Sequence, residues 1–97
     1  MFARVTNSIV PKDKLDAMNK VMAETTWPGS KKQKGYKGFL TLMNPETGER
    51  ITVSLWDTMA DMKASEKASY FTQSRKGADT SGVKINSTKY YSVGIKD

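Results

Sequence analysis

The chain has 97 residues, 37% of them apolar, and 16 basic against 10 acidic side chains give a formal charge of +6. It has neither cysteine nor histidine, which excludes disulfides, thiolate chemistry, zinc–sulfur centres, Ser-His triads and His-ligated haem or metal. One domain, residues 1–97, is expected, burying only roughly two-thirds of its unfolded surface, so the core is modest and a second copy would help. No apolar run is long enough to span a bilayer, and Met1 to Val10 carries Arg4 and Asn7 in place of a signal peptide's apolar core. The expectation is a cytoplasmic protein without a membrane partner. The positive charge permits anion or nucleic-acid contact and requires neither.

Phe2 to Ile9 has the pattern of a first strand, with Ala3, Val5, Asn7 and Ile9 on one face and Phe2, Arg4, Thr6 and Ser8 on the other. Pro11 opens a helix, where its missing N–H costs nothing. Leu15, Met18 and Met22 then recur at helical spacing to about Thr25. Trp27-Pro28-Gly29 is expected to end that helix, because Pro disfavours helix at the residue before it. Ser30 to Lys34 is a basic loop. Phe39 to Met43 is apolar except for Thr41, so both faces of this strand want cover. Asn44, Pro45 and Gly48 form a turn. The next strand alternates Ile51, Val53 and Leu55 with Thr52, Ser54 and Trp56. Thr58 with Asp61 resembles a capping box. A second helix follows from Met59 to about Lys67, with further helical turns from Ser69 to Lys76. Gly77 to Gly82 is a small-residue loop, and Lys84 to Ile95 is the last strand.

The order β-α-β-β-α-β predicts a ferredoxin-like α+β domain: a four-stranded antiparallel sheet with two helices on one face. The other face holds apolar side chains that one chain cannot cover. A second sheet packed against it makes a dimeric α+β barrel, a homodimer whose interface is on the order of 2,000 Å².

Five features stand together in this order: Asn7 on the first strand, Trp27-Pro28-Gly29 after the first helix, Gly35 and Gly38 opening the second strand, Ser54-Leu55-Trp56-Asp57 ending the hairpin, and a helix with Met59, Ala60 and Lys63. From Phe2 to Tyr91 the chain resembles the antibiotic biosynthesis monooxygenase-like superfamily of dimeric α+β barrels. That superfamily includes cofactor-free monooxygenases of polycyclic quinols, haem-degrading enzymes, aldehyde and muconolactone enzymes, and proteins of no known activity. The haem-degrading branch combines a first-strand Asn with a Trp and a His on or after the second helix. The corresponding positions here fall near Ser65 and Arg75, so that branch is disfavoured. The resemblance implies a cofactor-independent monooxygenase-like protein acting on a small apolar or aromatic substrate in a helix–sheet pocket. The alternative is a non-catalytic ligand-binding or stress-response protein of the same fold. No cofactor is expected.

Asn7 is the candidate catalytic residue, because its amide can hydrogen-bond a substrate carbonyl or a developing enolate oxygen. Its competing role is a local bond at the strand end. Met18, Met22 and Met62, with Met59, suit an adaptable apolar pocket, and core filling is the plainer explanation. Trp56 offers a ring and an indole N–H that needs an acceptor. Tyr70 and Arg75 complete the substrate-binding candidates that the resemblance implies. Asp57 with Asp61 and Glu46 with Glu49 are explained as a cap and a turn, so no acid–base pair stands out. There is no P-loop or dinucleotide fingerprint. Lys34-Gly35-Tyr36-Lys37-Gly38-Phe39 has some likeness to an RNA-recognition signature, but on the wrong strand, and no nucleic-acid partner is expected.

Overall fold

Alternating runs build the sheet. In the computed structural model, which describes all of residues 1–97, strands β1 (Phe2–Ile9), β2 (Tyr36–Met43), β3 (Glu49–Trp56) and β4 (Lys84–Ser92) lie in the order β2-β3-β1-β4, all neighbours antiparallel. The β2–β3 connection is held by its own polar groups. Glu46 N–H donates to Asn44 Oδ1 (3.0 Å), and Gly48 adopts φ +81°, where the backbone packs on the Val10 carbonyl and leaves no room for a Cβ. Val10 N–H donates to the Gly48 carbonyl at 2.8 Å, tying the end of β1 to this turn.

The helices lie over one sheet face. A 3-10 turn (Lys12–Lys14) leads into α1 (Leu15–Val21), a π turn (Met22–Thr26) and α2 (Trp27–Lys31). The helix therefore does not end at Trp27-Pro28-Gly29. Thr26 and Trp27 both keep right-handed helical dihedrals. The reason lies in the π turn, where the Trp27 N–H reaches back to the Met22 carbonyl and the ladder changes register just before Pro28. The wider turn accommodates the Pro28 ring and its missing donor. Gly29 serves close approach rather than a turn, since a Cβ there would stand 2.5 Å from the Tyr70 Cβ. Ser30, expected in a loop, is consequently a buried helical residue.

After β3, Thr58 caps α3 (Met59–Ser65) by accepting the Asp61 N–H at 3.0 Å, and α4 (Ser69–Thr80) follows. The expected loop from Gly77 is helix as far as Thr80. The helix stops where Gly82 takes φ +78° and the Val83 and Gly82 N–H groups close on the Ala78 and Asp79 carbonyls. That is a Schellman ending, and its apolar contact is Val83 against Ala78. β4 ends at Ser92, short of Ile95, which is almost fully exposed.

The buried residues fall into two groups. Val10, Leu15 and Val83 pack with Met18 and Ala78 at one end of the sheet. Trp56 and Met62 are wholly buried at the other. On the face turned away from the helices, Leu40 and Leu42 are half exposed and Ile9 and Tyr91 remain open to solvent. Ile51, Val53 and Leu55 share that face by strand alternation. No helix is long and apolar enough to cross a membrane.

Gly29→Ala separates two opposing effects. Helix propensity alone would favour Ala by about 1 kcal/mol. The Tyr70 contact reverses the sign, and we expect a loss of about 1–3 kcal/mol in urea denaturation.

Candidate functional site

Strand alternation turns polar rows toward the helices. Arg4, Thr6 and Ser8 of β1 and Arg50, Thr52 and Ser54 of β3 floor a cavity of about 80 Å³ between the helices and the sheet. Phe39 of β2 and Ile85 of β4 border it. Its roof is Met22, Thr26 and Ser30, spaced four apart, with Tyr70, Phe71, Ser74, Arg75 and Ala78 of α4. Thr26 and Ser74 hydroxyls bond across the helices at 2.8 Å. A second space of about 280 Å³ shares Arg50, Met22, Thr26, Ser74 and Ala78 with it, and a third of about 300 Å³ lies toward Trp27, Phe39 and Thr41. Met22 lines all three. As the first residue of the π turn, it sets a flexible thioether at their junction.

The electrostatics are lopsided. Arg4 has a counter-charge: its Nη1 donates to the Met62 carbonyl (3.2 Å), Ser65 Oγ (2.9 Å) and Glu66 Oε2 (3.3 Å). Glu66 Oε2 also accepts the Tyr90 hydroxyl at 2.8 Å. Arg4 and Arg75 each set their guanidinium carbon 4.8 Å from the Phe71 ring centre, a cation–π geometry. Arg75 donates to Thr88 Oγ1 at 3.1 Å and has no carboxylate partner. Arg50 is 7% exposed and makes no side-chain hydrogen bond or ion pair, and its Nε is buried without an acceptor. The Tyr70 hydroxyl is likewise buried and unpartnered. Burial pushes the Arg50 guanidinium below its ordinary value. Burial, then the like charge of Arg4, does the same to Arg75. Burial, then the bond to Glu66, raises the Tyr90 hydroxyl. No cluster of acidic side chains could hold a metal ion.

The sequence candidates divide. Met22, Tyr70 and Arg75 meet in the 80 Å³ cavity. Met18 reaches only the 280 Å³ space and packs on the Val10 cluster. Trp56 and Met62 line none of these three spaces. Both are wholly buried, and the Trp56 indole N–H is satisfied by Ser54 Oγ at 2.9 Å. Met59 is 37% exposed. Asn7 does not face the helices. Its neighbours Thr6 and Ser8 do, so alternation turns Asn7 to the open face, where its Nδ2 donates to Glu49 Oε2 at 3.0 Å. The expected apolar pocket is thus lined by hydroxyls and guanidiniums. Arg4, Arg50, Phe39 and Phe71 were missed as site residues. Their signal was the alternation itself: Arg-Thr-Ser rows on adjacent strands, opposite the apolar rows that demand cover.

No protein-family model matches the chain, and no curated relative matches it. Solved structures do. Several carry the name "putative antibiotic biosynthesis monooxygenase". The one from Deinococcus radiodurans has TM-score 0.84 and 12% identity, over 100% of this chain and 96% of its own. The one from Nitrosomonas europaea has TM-score 0.76 and 16% identity, over 99% and 100%. HapK from Hahella chejuensis has TM-score 0.83 and 9% identity, over 100% and 96%. The resemblance to the monooxygenase-like α+β proteins is therefore borne out in the fold, and identities this low speak to fold alone.

Glu66→Gln should cost roughly 1–3 kcal/mol, because it leaves buried Arg4 without a counter-charge. Chemical denaturation at pH 7 checks it. Tyr90 gives a pH prediction. Its folded-state value lies above the ordinary 10.0, so its contribution is complete below that pH and is lost as pH rises through the folded value. Tyr90→Phe should therefore show a shallower fall in stability across the alkaline limb than the parent chain.

Proposed function

We propose that this protein binds a small aromatic molecule in the cavity between helices and sheet and promotes its reaction with dioxygen without a cofactor. The observation that supports it is the cavity wall itself: Arg50 and Tyr70 with unspent donors, beside the rings of Phe39 and Phe71. A low-dielectric cavity with excess positive charge favours the ionised form of a bound phenol. An electron-rich phenolate carbon can then reduce dioxygen. For a ring methylene that becomes a carbonyl, one oxygen atom is retained and the other leaves as water. The names of the two monooxygenase-like neighbours agree with this class of reaction.

A second reading, binding without turnover, is favoured by one observation. The cavity offers no free general base, since its nearest carboxylate, Glu66, is held by Arg4 and Tyr90. Oxygen uptake with a panel of small quinols decides between them. We expect uptake, reduced about tenfold or more in Arg75→Met, the scale of one lost charged contact. Ligand binding with no uptake from any quinol leaves the binding reading.

We propose further that the chain works as a cytoplasmic homodimer, with a second copy over the open sheet face. Leu40 and Leu42 are 53% and 50% exposed on a face whose remaining side chains are largely apolar. Side chains in such a row usually mark an interface. Sedimentation at micromolar concentration should give a dimer, and Leu40→Asp a monomer. A folded monomer of the parent chain would refute this arrangement.

A further inference from the structure

Arg50 poses a problem that the fold does not solve. Only 7% of the residue is exposed, its Nε is buried without an acceptor, and no side chain or carbonyl accepts from its guanidinium. A buried lysine could shed its proton and escape the cost, whereas arginine stays charged at any pH the protein meets. A buried cation without a partner destabilises a fold, and an apolar residue of similar length would serve packing better. The same cavity holds a second orphan donor, the Tyr70 hydroxyl. The lining around both is hydroxyl-rich, and Arg75 adds a further positive charge without a carboxylate partner. Donors are in excess, and the one carboxylate nearby, Glu66, is already taken by Arg4 and Tyr90. What the cavity lacks is an acceptor bearing negative charge.

We propose that the acceptor is the ligand: the cavity is a site for a small aromatic oxyanion, a carboxylate or phenolate, with Arg50 as its counter-ion and the Tyr70 hydroxyl as its second donor. The charged head occupies the 80 Å³ cavity. The ring extends into the adjoining 280 Å³ space, which shares Arg50 and is walled by Met18, Met22 and Ala78. This deepens the proposed function by naming Arg50 and Tyr70 as the groups that answer the ligand's charge and by admitting carboxylates beside phenolates. It rests on the cavity being a ligand site and does not depend on any reaction with oxygen.

Calorimetric titration of the parent chain with benzoate, against its neutral isostere benzamide, tests the charge requirement. Benzoate should bind at least about tenfold more tightly than benzamide, a single charged hydrogen bond being worth that much or more. Arg50→Met should abolish the preference and, without ligand, raise the melting temperature, because it removes the uncompensated charge. Tyr70→Phe, a milder change, should weaken benzoate several-fold and keeps the test alive if Arg50→Met fails to fold. 4-Nitrophenol separates the two sources of oxyanion. A phenolate site lowers its apparent pKa by about one unit or more, visible in its absorbance; benzoate binding without that shift assigns the site to carboxylates. Equal affinity for benzoate and benzamide would overturn the proposal. So would benzoate binding unchanged in both variants, or no binding of either anion at millimolar concentration. Benzoate is inert to dioxygen, so its binding stands or falls apart from turnover. Quinol oxidation without any preference for benzoate over benzamide would keep the oxygenase reading and sink the anion site, and anion binding without quinol oxidation would do the reverse.

Discussion

Three guanidiniums, those of Arg4, Arg50 and Arg75, line one small space under the helices, and a single carboxylate, Glu66, stands against them. Much of the interior is arranged around that imbalance. Arg4 spends its donors on Met62, Ser65 and Glu66, so it ties β1 to α3 and to the turn that follows it. Phe71 lies against both Arg4 and Arg75 and lends its ring face to the charges. Tyr90 completes the set from the edge strand through Glu66. Arg50 alone is left outside this network, on the side of the cavity that opens toward α1 and α4.

The polar interior also explains why the hydrophobic core is divided. Val10, Leu15 and Val83 close one end and Trp56 with Met62 the other, and between them lies a layer of hydroxyls. A helix-to-sheet layer usually supplies most of a small domain's apolar burial. Here the richest apolar rows, Ile51-Val53-Leu55 and Leu40-Leu42, point the opposite way. The domain keeps polar groups where helices cover them and leaves apolar groups where nothing in the chain does. That inversion links the two proposals: the inner face is shaped for a ligand, and the outer face for another copy.

The first helical layer shows how local strain serves the site. Tyr70 packs on Gly29 at a distance no side chain would permit, which lets α2 and α4 approach closely. The π turn upstream absorbs the register change that Pro28 demands, and it presents Met22 where the three spaces meet. Continuation of the helix past Trp27 is what places Ser30 against the cavity.

The order of elements, the antiparallel hairpin, the Thr58 cap and the shortage of apolar cover were legible in the sequence, because periodicity, turn chemistry and composition act over a few residues at a time. The tertiary structure decided which sheet face the helices cover. Alternation names two faces but cannot say which is inside, and the rule that apolar rows go under helices pointed the wrong way. Asn7 was therefore assigned to the cavity when it lies on the open face with Glu49, and Arg50 passed unnoticed on a polar row that became interior. The path through Trp27-Pro28-Gly29 was also settled by packing, since close contact with Tyr70 outweighed a local preference of a few kcal/mol. Whether a side chain meets water or another element depends on residues far away in the chain, and only the assembled fold brings those together.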